Sequence, residues 1–333
     1  MAGVRPGGFA ALLGTALLVG LQSSADASDS DLGNASGWPS RPVRLIASVA
    51  AGTSLDTLAR MTAKHLSSVL GQSVVVENRS GASGRIASEA VARAPSDGHT
   101  LLFSSNTLAT MAALHGPRAV DPTTALLPVA MMATQPMLIV ASPSFAGSGF
   151  ADVVRAAKAA PGALPYSTSG IGSLAHLTAL WAQSRAGITM LHIPVSGTQS
   201  FKDVMTGDIP IGFTFLASAL PLVRSGQLKA IAVTSRTRSS IAPEIASLDE
   251  SGLSDFESLN WMGVLAPAGT PPAIVARLSA EIARMLGSPG VDAQLRAAGY
   301  TPVYGTPDQF ADSLRQETLR WAAIVKAADL HTD

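Results

Sequence analysis

Val43-Arg44-Leu45-Ile46-Ala47-Ser48-Val49-Ala50-Ala51-Gly52-Thr53-Ser54-Leu55-Asp56 is the stretch whose reading decides the fold. Val43–Val49 is a short apolar run of the kind that forms a buried strand. Beyond it, Leu55, Leu58, Ala59, Thr62, Leu66 and Val69 recur at helical spacing, and Gly71 supplies the stop. Between strand and helix lie only small residues. A strand, a small-residue loop and a helix make the elementary unit of an α/β protein.

The same unit returns along the chain. Ser73–Glu77 reads as a strand, Ile86, Ala87, Ala90 and Val91 mark a helix, and Asp97-Gly98 turns into strand Thr100–Ser104. Met137–Ala141 leads to a helix near Phe150–Ala159 and then to strand Leu164–Thr168. Ser167-Thr168-Ser169-Gly170-Ile171-Gly172-Ser173 is a second small-residue loop, and Ser173 caps a helix bearing Leu174, Leu177, Leu180 and Trp181, closed by Gly187. Strands follow at Thr189–Ile193, Ile209–Phe215, Leu228–Thr234 and Leu259–Leu265. Thr270-Pro271 starts a helix that runs to Gly287. Thr306-Pro307-Asp308-Gln309 is a capping box opening a last helix to about Ala328, with Leu314, Trp321 and Ile324 inward. The alternation predicts α/β layers with mainly parallel sheets, in two lobes.

Composition narrows the function. The 333 residues are 47% hydrophobic and 14% charged, with 23 basic and 23 acidic side chains and no cysteine. A neutral chain without a basic stripe is not built for nucleic acid. The missing cysteines exclude disulfides, thiolate catalysis and Cys-ligated metals. At the amino terminus, Arg5 precedes an apolar run from Phe9 to Leu21, and Ala25-Asp26-Ala27 is a small-x-small cleavage pattern. Residues 1–27 are therefore expected to be a cleavable signal peptide, and the polar residues 28–37 a flexible linker. Export of a cysteine-free chain fits a bacterial periplasm.

Catalytic signatures are missing: there is no Gly-x-Ser-x-Gly elbow, no phosphate-binding Gly-x4-Gly-Lys-Ser/Thr and no His-Glu-x2-His. None of the six histidines lies three or four residues from another, so no local metal pair exists, and no metal or cofactor is expected. Ser173 with His176 is the only local nucleophile-and-base pair, and a capping Ser173 is already engaged as an acceptor. A structural hydrogen-bonding role is the simpler reading of His176 and of His192.

The two small-residue loops carry the chemistry that remains. Gly and Ser let backbone N–H groups approach a ligand, and a helix start offers unpaired donors with a partial positive charge. Hydrogen bonds to a charged group contribute about 1.5–3 kcal/mol each. Four to six of them would supply the ~8 kcal/mol of a micromolar carboxylate site without a basic side chain. Ordinary βα turns have the same composition, so each loop alone is weak support.

The ordered motifs resemble the Bug-type substrate-binding proteins of tripartite tricarboxylate transporters. They are Trp38-Pro-Ser-Arg-Pro-Val-Arg-Leu-Ile46, Gly71-Gln-Ser-Val-Val-Val-Glu-Asn-Arg79 with Gly81-Ala-Ser-Gly84, and Asp97-Gly-His-Thr-Leu-Leu102. Pro161-Gly-Ala-Leu-Pro-Tyr-Ser167, Ser218-Ala-Leu-Pro221, Ala230-Ile-Ala-Val-Thr-Ser235 and Trp261-Met-Gly-Val-Leu-Ala-Pro-Ala-Gly-Thr-Pro271 continue the series. The resemblance implies a two-lobed type II periplasmic-binding-protein fold, with residues 38–137 and 257–333 in lobe 1 and 138–256 in lobe 2. It further implies a monomeric receptor that closes on a small organic carboxylate and delivers it to membrane transporter subunits. Carried over by motif, Ala51, Gly52, Thr53, Asp56, Ser105 and Asn106 hold one side of the ligand. Gly170, Gly172, Ser173 and His176 face them, with Ser196 and Thr214 beside the cleft.

Departures from the family pattern point to the ligand. Ala50-Ala51-Gly52-Thr53 replaces a Pro-x-Ala-Gly-Gly loop, Val195 and Ser196 replace a tyrosine and a lysine, and Thr214-Phe215 replaces an Asp-Asn pair. Thr214 cannot pair with a ligand amine, so the expected ligand is a less polar carboxylate, aromatic or a short dicarboxylate. Two alternatives share the fold: a sensor module presenting ligand to a membrane histidine kinase, and a diverged paralogue with a different ligand.

Overall fold

A computed structural model describes residues 37–195 and 199–330. The expected leader, most of the linker and Ser196 lie outside the described residues. Ten strands and ten α-helices alternate among the described residues. In chain order the first elements are β1 (Val43–Ala47), α1 (Ser54–Leu70), β2 (Val74–Asn78), α2 (Arg85–Ala92), β3 (Thr100–Ser105) and α3 (Thr107–His115). A long β4 (Leu126–Ala141) precedes α4 (Phe150–Ala159), β5 (Pro165–Thr168), α5 (Leu174–Ala186), β6 (Leu191–Pro194) and α6 (Gln199–Thr206). Then come β7 (Ile211–Phe215), α7 (Leu216–Arg224), β8 (Lys229–Val233) and β9 (Leu259–Pro267). The chain ends in α8 (Pro272–Leu286), α9 (Pro289–Ala297), β10 (Thr301–Gly305) and α10 (Pro307–Ala327).

The caps at Ser173 and Thr306 are the ones that the sequence marks, and the structure adds Thr53. Thr53 Oγ1 accepts from the N–H of Asp56 at the start of α1, and Gly71 closes it in the left-handed region at φ 72°. Ser173 caps α5 by accepting from the N–H of His176, and Gly187 ends it at φ 61°. Thr306 and Gln309 close the capping box of α10, whose Leu314 and Trp321 are buried.

Two sheets share one strand. The first runs β2-β1-β3-β9-β4-β10 and the second β8-β4-β7-β5-β6. Residues Leu126–Pro136 of β4 pair with β9, and Met137–Ala141 pair with β7 on one side and β8 on the other. Parallel pairing is confined to two triplets, β2-β1-β3 and β6-β5-β7. The neighbours of β9 and β4 are antiparallel, so each sheet is mixed, not mainly parallel. β4 carries the chain from one sheet into the other, and all of its partners, β7, β8, β9 and β10, run antiparallel to it.

At the crossing, Thr234 ties three segments together. Its Oγ1 accepts from Met137 N–H at 2.8 Å and donates to the Ser258 carbonyl at 2.6 Å. Helix α10 packs along α3 and β4 and also reaches α5. There Trp181 stacks on Phe256 with ring centroids 4.1 Å apart and meets Trp321 edge-on, while the Arg320 guanidinium lies 4.4 Å from the Trp181 ring.

Candidate ligand-binding cavity

A cavity of about 960 Å³ opens at the carboxyl ends of the parallel strands, where loops from both sheets meet. Strand ends contribute Val49 after β1, Ser105 of β3, Ser169 after β5 and Phe215 of β7. Helix starts contribute a further part of the wall: Ser54 and Leu55 of α1, Arg85 of α2, Thr107 of α3, Ser173, Leu174 and Ala175 at α5, and Ala217 and Ser218 of α7. Five helices therefore begin at one cavity. Each brings unpaired N–H groups and about half a positive charge. Among the described residues that line it, Arg85 is the only Lys or Arg, and there is no Asp or Glu.

The first loop is organised by Asp56, which faces away from the cavity. Its carboxylate accepts from Gly52 N–H at 2.9 Å, Arg60 Nε at 3.0 Å and Asn78 Nδ2 at 2.8 Å. Burial pushes this carboxyl up, but hydrogen bonds from Arg60, Asn78 and Gly52 outweigh it and hold the pKa below the usual range. Ala51, Gly52 and Thr53 are exposed and sit outside the lining, as does Asp56, and the Gly52 N–H already has its acceptor.

The second loop rests on a histidine pair. His176 Nδ1 accepts from Gly172 N–H at 3.2 Å, and its ring stacks on His192 with centroids 3.8 Å apart. His192 Nε2 in turn meets Thr168 Oγ1 at 2.7 Å. Burial, with the neighbouring His192, pushes His176 down to about 4, and burial brings His192 to about 4 as well. Both rings are neutral struts beneath the loop. Ser173 Oγ donates to the Gly170 carbonyl at 2.7 Å while accepting from His176 N–H, so it has no bond to the imidazole. That geometry lacks the nucleophile–base contact an acyl transfer requires.

Of the residues that the sequence proposes, Ser105, Gly172 and Ser173 line the cavity. Asn106 lies just behind it, buried, with Nδ2 donating to Glu317 Oε2. Gly170 and His176 support the loop, and Thr214 is half-buried within β7 outside the lining. Arg85 was not proposed. It ends the loop Gly81-Ala82-Ser83-Gly84, whose four residues all have positive φ, two of them without the freedom of glycine. Its signal was the third strand, small-residue loop and helix start, with a cation at the first helical position. Gln135, Asn260 and Tyr300 also line the cavity, but they come from distant parts of the chain and carry no local pattern.

The mixed α/β architecture with a cavity between two sheets is that of the solute-binding proteins. The TctC profile, "Tripartite tricarboxylate transporter family receptor", matches residues 58–330, and the chain belongs to this family. Protein BugT of Bordetella pertussis is 34% identical over 292 residues, 87% of this chain and 90% of BugT. Among solved structures, R. palustris Rpa4515 with adipate is 31% identical with a TM-score of 0.72, covering 88% of this chain and 99% of its own. MatC (Rpa3494) from Rhodopseudomonas palustris with bound malate is 28% identical with a TM-score of 0.70, covering 86% and 100%.

Proposed function

We propose that this chain is a periplasmic receptor that captures a small organic carboxylate between its two sheets and delivers it to a tripartite tricarboxylate-type membrane transporter. One observation carries the reading: five helix starts and Arg85 surround a cavity whose described lining has no acidic side chain. An anion is the ligand such a cavity favours. Adipate and malate in two related structures support a carboxylate. Backbone N–H groups at Leu174, Ala175 and Thr107 act as donors, with the Ser105 hydroxyl and the Arg85 guanidinium beside them. Residues 38–137 with 257–333 form one lobe and 138–256 the other, hinged where Thr234 binds Met137 and Ser258.

Native mass spectrometry of protein purified from periplasm, followed by calorimetric titration of a carboxylate panel, tests the proposal. A bound acid that is released on denaturation and rebinds when added back is the expected result. An empty protein that binds no acid in the panel refutes it.

A further inference from the structure

Beside the main cavity lies a second one of about 400 Å³, and Ser54, Ala298 and Tyr300 line both. It is the groove between α1 and α9. Ser54, Thr57, Leu58 and Met61 of α1 form one wall, at the spacing that places residues on a single helix face. Leu295 and Ala297 form the facing wall, with Gln294 at the rim, and none of the nine lining residues is charged. Leu58, Leu295 and Tyr300 are buried and make an apolar floor. A hydrogen bond 2.6 Å long between Ser54 Oγ and Tyr300 Oη joins two of the three residues shared by groove and main cavity. Ser54 is exposed, and its short side chain can turn without moving the α1 backbone.

We propose that this groove is a subsite for the hydrocarbon tail of the bound acid, whose carboxylate stays in the main cavity. The inference rests on the receptor reading above. From Ser54 to Met61 the wall spans roughly 10 Å at the helical rise, about eight methylenes. The ligand class is then an unbranched acid with an apolar tail, and a short polar acid leaves the groove unused. Each methylene seated in a groove open on one side is expected to raise affinity by about two- to four-fold.

The test is calorimetric titration of the full chain with straight-chain monocarboxylates of four to ten carbons. The parent protein is compared with Ala297→Trp and Thr57→Trp, two exposed positions on opposite walls that line the groove and not the main cavity. Affinity should climb with chain length in the parent and stay flat in both variants, with butanoate binding equally well to all three. A length dependence that is absent, or the same in parent and variants, overturns the subsite while leaving the receptor reading intact. Failure of every acid to bind, whatever its length, overturns both.

Discussion

Replacing Arg85 with Met removes the one cationic Lys or Arg side chain among the described lining residues, and keeps a side chain of similar length and helix propensity. Arg85 Nη1 pairs with Glu89 Oε1 at 2.7 Å, and its side chain is 43% exposed. A unit charge 4 Å away contributes about 4 kcal/mol at an effective dielectric of 20, which is the ceiling. Sharing the guanidinium with Glu89 and with solvent reduces this towards the ~0.2–1 kcal/mol of exposed pairs. An intermediate loss of about 1–2 kcal/mol is expected, raising the dissociation constant about 5- to 30-fold. The fold should tolerate the change, because Glu89 keeps Arg93 as a partner at 3.3 Å. Titration at low ionic strength and at 1 M salt, where the screening length falls to about 3 Å, adds a second readout. Parent affinity should fall with salt more steeply than that of the variant. Equal affinities within two-fold and identical salt slopes would refute a role for Arg85 at the ligand.

Four further outcomes follow from particular contacts. Ser173→Ala deletes the α5 cap and should cost about 0.5–2 kcal/mol in urea unfolding. Gly172→Ala forces a left-handed residue at φ 73° and sets a Cβ 2.3 Å from Leu114 Cδ2; about 1–2 kcal/mol for the backbone alone should appear as a lower urea midpoint. Burial pushes Glu317 up to about 7, with Trp261 and Arg320 opposing it, so its stability contribution is present below about 4.5 and lost as pH rises through 7. Glu317→Gln should therefore gain on the parent between pH 5 and pH 8, and an unchanged difference would refute this. His176 and His192 are held near 4, below the usual 6.5, so their contribution is complete above about 6.5 and lost as pH falls towards 4. In the double variant His176→Asn with His192→Asn, that acid-side decline should flatten.

The legible parts of the fold are those that local chemistry marks. Ser173 and Thr306 are read as caps because a hydroxyl before an apolar period can satisfy a free N–H, and both do so; Thr53, read as a ligand residue, does the same at α1. Helices α3 and α7 escape the reading for a physical reason. Thr107–His115 is apolar nearly all round and has no face, and Leu216–Arg224 contains Pro221. These two supply two of the five helix starts at the cavity. The first half of β4 is hidden by Pro128 and Pro136, residues that argue against a central strand, although β9 pairs there throughout. Of the two small-residue loops, Gly172 and Ser173 of the second line the cavity, whereas Ala51, Gly52 and Thr53 of the first do not. Gly52 carries the backbone freedom of a ligand cradle, yet its N–H is bound to Asp56, a contact invisible in the spacing because Asp56 also has Arg60 and Asn78.

The carboxylates near the cavity explain why helix starts can hold an anion in a chain of zero net charge. Asp56 lies in the first turn of α1, where an unpaired charge would cancel the partial positive charge offered to the ligand. It is instead bound by Arg60, Asn78 and Gly52. Glu89 is flanked by Arg85 and Arg93, and Glu317 is buried behind Asn106 with Trp261 Nε1 donating at 2.7 Å. Asp56 and Glu89 thus have partners that turn their charge away from the cavity, and burial holds the Glu317 carboxyl towards its neutral form. Removing one partner should weaken binding without touching the cavity: Asn78→Ala takes a donor from Asp56 and lets Gly52 and the α1 entry loosen. A hydrogen bond to a charged group contributes about 1.5–3 kcal/mol, and the ligand feels only the part of that loss that reaches the α1 entry, so affinity should fall by up to about ten-fold while α5 and its cap stay intact. A ligand affinity indifferent to Asn78 would mean that α1 does not contribute to the anion site, leaving α3, α5, α7 and Arg85 to hold it.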